Sequence, residues 1–217
     1  MSFFSNFQSD KCPGTISGNP LNGLCEKVCI QAQKIFDACI KQIQIDNYTL
    51  TLEDKIPADP TYPLTFISAR STSSTGVITN LNVERLHDKP GCARVQATVS
   101  IPVEIAYTDA NGVEGVAQST ISVSQDVLLF VPAPSIMPYK ITAEVSAVCA
   151  EGTFNSDGTF SVSACLTTIM KVAIDVEILV PSYGYCAIPP AQEYSHEVCT
   201  GFFELPLYPQ GKNCSKQ

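Results

Sequence analysis

From Leu64 onward the chain alternates between apolar and polar positions with a period of two. In RVQATVSIPVEIAYTD, Val95, Ala97, Val99, Ile101, Val103, Ile105 and Tyr107 are apolar, while Gln96, Thr98, Ser100 and Glu104 lie between them. Successive side chains of a strand point to opposite faces, so this spacing predicts a long strand with one buried side. DANG at 109–112 supplies a hairpin turn, and VAQSTISVSQDVLLFV returns with the same alternation. YKITAEVSAVCAEGTF, the turn NSDGT at 155–159 and FSVSACLTTIMKVAIDVEILV form a second pair. Two long hairpins rich in β-branched residues predict a mainly β fold, an antiparallel β-sandwich or barrel.

Upstream the period differs. Cys25, Val28, Cys29, Ala32, Ile35, Phe36, Cys39, Ile40 and Ile43 recur at helical spacing, with Glu26, Lys27, Gln33, Lys34 and Lys41 opposite. That pattern predicts one N-terminal amphipathic helix from about residue 23 to 44, placed to cover an open face or end of the sheet. PADPTYP at 57–63 then breaks the chain. Residues 1–22, with GTISGNPLNG, read as a flexible arm, and the Pro-, Tyr- and Cys-rich residues 183–217 as an irregular strap on the same domain. The predicted organisation is therefore an arm (1–22), a helix plus β-sandwich domain (23–182) and a strap (183–217).

Composition narrows the function classes. With 217 residues, 45% apolar and 16% charged, the chain can bury a full core, which excludes wholesale disorder. Thirteen basic against twenty-one acidic residues give a formal charge of −8, which repels phosphate backbones and anionic lipid surfaces and argues against a nucleic-acid partner. No run of eighteen apolar residues predicts a membrane span, and MSFFSNFQSDKC has neither the charged nor the apolar region of a signal peptide. Ten cysteines contrast with that missing signal, since disulfide frameworks belong to oxidising compartments. A protein assembled in a reducing cell and oxidised after that cell lyses would reconcile the two.

The candidate chemistry is sparse. Cys25 and Cys29 stand four apart, and His196 with Cys199, near Cys186, offers a second donor pair for zinc. C-x-x-C is absent everywhere and nothing brings the two pairs together, so disulfide or buried thiol is the better reading, with no metal or other cofactor expected. Thiol-redox enzymes use C-x-x-C in an alternating α/β chain, not C-x-x-x-C in a chain of strands. Only His87, in the polar stretch ERLHDKPG, and His196 could serve a nucleophile as base, and no hydrolase or nucleotide-binding motif occurs. Carboxylates such as Asp175 and Glu177 share a strand face without forming a glycosidase pair. The sequons at Asn47 and Asn213 would be read only in a secretory lumen. No catalytic constellation emerges, and the chain reads as a material rather than an enzyme.

The succession VSIPVEIAYTDANG, DVLLFVPAP, ITAEVSAVCAEGTF and MKVAIDVEILVPSYGYCAIPP resembles the strand order of spore-coat-associated β domains of clostridial sporulation proteins. LCEKVCIQAQKIFDACI and PSYGYC resemble cysteine-rich spore-surface proteins of the same spore formers. The likeness spans roughly residues 24–205. It implies a structural, self-assembling subunit of a coat, exosporium or appendage, made in the mother-cell cytosol without a signal peptide and placed on the spore surface. Its partners would be copies of itself and other spore-surface proteins. In that setting Cys25, Cys29 and Cys39 share the buried stripe with Phe36 and Ile43, to pair with cysteines such as Cys186 or Cys199. Cys92, Cys149 and Cys165 complete the intramolecular disulfide candidates, although spacing selects no pairing. Cys12 in the arm and Cys214 near the end lie where another subunit can reach and are the candidates for cross-links between subunits. The arm, through Thr15, Ile16, Ser17 and Gly18, would insert by strand addition at a neighbour's sheet edge, and head-to-tail contacts of that kind build filaments. The competing class is an extracellular binding module for carbohydrate or protein.

Overall fold

Both hairpins form where the alternation places them. The computed structural model describes residues 18–22, 24, 26–89 and 91–186, in eight strands. These are β1 (Glu26–Leu50), β2 (Glu53–Ile56), β3 (Thr65–Ser71), β4 (Thr75–Arg85), β5 (Cys92–Thr108), β6 (Glu114–Phe130), β7 (Lys140–Phe154) and β8 (Phe160–Ser182). β5 and β6 pair antiparallel without interruption from Cys92↔Phe130 to Thr108↔Glu114, and β7 pairs with β8 from Lys140↔Ala173 to Phe154↔Phe160. The turns close as read, Asp109 N donating to Val113 O at 2.9 Å and Asn155 N to Thr159 O at 2.9 Å.

The predicted helix over 23–44 is not present: residues 26–50 form β1, hydrogen-bonded to β8 at the end of the sheet order β1-β8-β7-β3-β5-β6-β2. The reason is visible in burial. Cys39, Lys41, Ile43 and Ile45 are part-buried, and Ile40, Gln42, Gln44 and Asp46 between them are exposed, which is strand periodicity. Asn47, at φ +57°, shifts that parity by one, so Tyr48 and Leu50 turn inward after it. As a helix this segment would leave β8, 23 residues long, without a partner along that edge. The Cys39 thiol meets the Met170 backbone, and side chains pair Gln42 with Thr167 and Asp46 with Ser163, so the two strands are antiparallel.

The chain divides into two compact units, Gln33–Val176 and a second made of Met1–Ala32 with Glu177–Gln217. Within the first, β3 and β4 act as one kinked strand between β5 and β7, each pairing with both. β1 and β2 stand at the two ends of the strand order yet are separated only by Thr51 and Leu52. The sheet therefore curls until its ends meet, a barrel-like closure in place of two independent layers. The core fills it from the odd positions of β5 (Ala93 to Tyr107), from Ala117, Ile121 and Leu129 of β6, and from the even positions of β8, among them Phe160, Leu166 and Met170. Phe66, Phe154 and Phe160 pack edge to face at one end, with centroids 5.3 and 5.4 Å apart. In the second unit, Ile30 and Leu179 are exposed and the Tyr183 hydroxyl donates to the Pro20 carbonyl.

Candidate assembly surfaces

Cys12, Cys25, Cys199 and Cys214 lie outside the described residues, as do Thr15, Ile16, Ser17 and His196. Gly18 is exposed at φ +85°. The other six cysteines are free thiols. They do not form the single docking stripe expected from helical spacing, because Cys29 is exposed while Cys39 is part-buried against the core. Burial pushes the Cys39 thiol up, against the opposing effect of a backbone hydrogen bond from Met170. Cys149 is buried, and desolvation carries its pKa to about 11, with the nearby Cys165 adding to the rise. These two are diagonal neighbours, Cys149 opposite Ala164 and Cys165 opposite Val148. Strand alternation nevertheless sends their sulfurs to opposite faces of the sheet, an arrangement that does not bridge without backbone movement. Cys165 stands on the outer face, in a shallow hollow with Gln42, Gln44, Ser146, Val148 and Thr167 from three adjacent strands. Cys92 begins β5 opposite Phe130, and Cys186 is exposed beyond β8.

The sheet edge is the second element. β2 covers β6 only at Gln118 and Val116. Beyond that point, among the described residues, the side of β6 away from β5 has no backbone ladder over residues 119–130. Two side chains of β1 stand in for it: the Ser122 N–H donates to Tyr48 Oη at 2.9 Å and the Phe130 N–H to Asp37 Oδ2 at 2.7 Å. A seam held by side-chain acceptors thus replaces a ladder of backbone bonds, and an unpaired edge is a template for another strand. No sequence signal marks it, since it depends on how β1 and β6 meet.

The remaining polar groups serve structure. Asp109 Oδ1 accepts from the N–H groups of Asn111 (2.8 Å) and Val113 (2.9 Å), and Oδ2 from Thr61 N–H (3.1 Å), locking the β5–β6 turn to the 57–63 loop. These bonds, Val113's above all, hold its carboxyl below the ordinary range. Asp175, read as sharing a face with Glu177, pairs with Lys140 and is held low by that bond. His87 lies in a bend between β4 and β5. Among the described residues no three His, Cys, Asp or Glu side chains are grouped to hold a metal ion, and no helix is long and apolar enough to cross a membrane.

No protein-family model matches the chain, and no solved structure matches it. Among curated proteins it is similar to Exosporium protein A of Clostridium sporogenes (strain ATCC 15579), with 42% identity over 60 residues. That alignment covers 24% of this chain and 20% of the relative, so the chain spans about a fifth of the length of the protein it matches.

Proposed function

We propose that this chain is a structural, self-assembling subunit of a spore surface, in a coat, exosporium or appendage, joined to its copies by strand addition and locked by disulfide cross-links. The observation that carries assembly is the β6 edge, where residues 119–130 face β1 with two side-chain acceptors in place of a ladder. The spore-surface setting rests on the local similarity to Exosporium protein A. A neighbour's residues 1–22, inserting Thr15, Ile16, Ser17 and Gly18, would supply the backbone groups such an edge offers to pair. Cys12 travels with that arm and, with Cys214, would form the cross-links between subunits. Each bond forms as two thiols lose two protons and two electrons to dioxygen after the mother cell lyses. No catalytic step, cofactor or nucleic acid enters this reading.

Electron microscopy of the purified chain, with and without reductant, beside a variant beginning at Leu21, tests it. The expected result is ordered filaments or layers that survive denaturant only when oxidised and vanish without the arm. A monodisperse monomer under every condition overturns assembly and directs the search to carbohydrate and protein ligands.

A further inference from the structure

Strand alternation fixes which backbone groups of β6 face the gap beside β1. The Val131 N–H donates to the Gly91 carbonyl on the β5 side at 2.7 Å, whereas the N–H groups of Ser122 and Phe130 go to Tyr48 and Asp37. The β5–β6 ladder has no bulge between them, so the even residues Ser124, Asp126 and Leu128 also turn their N–H and C=O groups away from β5. The even residues from 122 to 130 thus form one continuous pairing edge, and among the described residues no backbone ladder meets it.

β1 runs along this edge without joining it, and chain length gives the reason. From the Asp37–Phe130 contact to the Glu53↔Gln118 pair, the β1–β2 side takes 16 residue steps and β6 takes 12. The four extra residues, roughly 13 Å of strand, cannot lie in register with β6 and bow the chain away from it, with Asn47 at φ +57° among them, while β1 keeps its ladder to β8. Two side chains then reach back. Asp37 Oδ1 accepts from the Ala38 N–H at 2.9 Å, which turns Oδ2 toward Phe130, and the part-buried Tyr48 ring packs on the core with its hydroxyl at Ser122. Midway along the edge, the hydrogen bond from Arg94 holds the Asp126 carboxyl low, and the charge of Lys41 on β1 adds to that effect from across the gap. Each pin occupies an N–H that an incoming strand would need, and each can let go without breaking a ladder bond.

We infer that Tyr48 and Asp37 are a built-in cap on the edge that accepts a neighbour's strand: they hold it shut in the free subunit and give way when carbonyls of the incoming strand take over the Ser122 and Phe130 N–H groups. The cap rests on the strand-addition reading and adds a threshold to it. Only the uncapped fraction of subunits is competent, so the apparent affinity for the strand is reduced by that fraction, and loss of one pin raises both together. A capped edge also removes the hazard of an open one, because dilute subunits do not pair edge to edge.

Three variants of the full chain test the cap. Tyr48→Phe removes one pin and keeps the ring that packs on the core, Asp37→Ala removes the other, and Asp37→Asn keeps an acceptor oxygen in its place; urea midpoints check that each folds. Amide exchange followed by NMR, in reductant and below the assembly threshold, reads the cap directly. Ser122 should exchange about fivefold faster in Tyr48→Phe, the factor expected of one hydrogen bond, while Val123, whose N–H faces β5, should not change. Sedimentation velocity and electron microscopy read its consequence. The concentration threshold for assembly should fall by at least about the same factor in Tyr48→Phe and Asp37→Ala and stay at the wild-type value in Asp37→Asn. Unchanged exchange at Ser122, or a threshold unchanged or raised in Tyr48→Phe and Asp37→Ala while the wild type assembles, overturns the cap and leaves strand addition standing. A wild type and uncapped variants that all stay monomeric at every concentration remove both.

Discussion

Replacing Gln125 by Leu should stabilise the fold. Gln125 is 3% exposed on the inner face of β6, opposite Ala97, with Val123 and Val127 before and after it on the same face. Both its amide nitrogen and its amide oxygen are buried without a hydrogen-bond partner. Stripping water from such a group without replacing its bonds costs about 1–3 kcal/mol, and leucine of similar size removes that cost while keeping the space filled. Gln125→Leu should therefore gain about 1–3 kcal/mol, and an unfolding temperature higher by about 2–4 °C per kcal/mol. Gln125→Ala should gain less, because the cavity it opens offsets part of the relief. Urea unfolding of the full chain in reductant measures the shift at constant m-value. A loss of 1 kcal/mol or more in Gln125→Leu, on the order of a buried hydrogen bond, would refute the reasoning by showing that the amide is paired in the folded state.

Two further outcomes follow from the thiols and the turn. With its pKa raised from 9.0 to about 11, Cys149 should present about a hundredth of the thiolate of an ordinary cysteine near pH 8. Maleimide labelling of the native chain, located by mass spectrometry, should therefore modify Cys165 rapidly and Cys149 only on unfolding; equal rates would contradict the opposite-face placement. Asp109 has a folded-state pKa below its unfolded value of 3.8, so its stabilisation is complete above that value and is lost as pH falls through the lower, folded one. Acid unfolding should accordingly begin below about pH 4, and Asp109→Asn should be less stable at neutral pH with a flatter acid limb; an unchanged limb would remove Asp109 from the account.

The sequence announces some of this and conceals the rest. The β5–β6 and β7–β8 hairpins were legible because one face of each strand is core and the other solvent, so burial imprints period two on many consecutive residues. β1 was not, because its buried residues are interrupted. Phe36, Cys39 and Ile43 fall by chance on a helical spacing, Lys41 occupies an inward position, and the positive φ of Asn47 breaks the parity that Ile43 and Ile45 begin. The short alternation in IQID carried the correct signal beneath a stronger false one. Gln125 was visible as a polar residue at an odd position between Val123 and Val127, on a face that also carries the smaller polar Ser119. The opposite orientations of Cys149 and Cys165 follow from parity once the Cys149↔Ala164 register is known, but spacing of 16 residues alone does not give that register. The seam between β1 and β6 was beyond sequence reading altogether, since Asp37 meets Phe130 and Tyr48 meets Ser122 across 93 and 74 residues.

The antiparallel course of β1 and β8 has a mechanical consequence. Gln33 and Asp175 share a hydrogen bond, so the chain enters and leaves the Gln33–Val176 unit side by side. Tension drawn between the two termini of one subunit pulls across the hydrogen bonds one pair at a time, and the strands peel like a zipper. Tension transmitted from the N-terminal side into the body of the barrel runs along β1, perpendicular to those bonds, and must break them together. A material loaded through its N-terminal segments would thus set its ladder in the strong direction and leave the weak one unstressed.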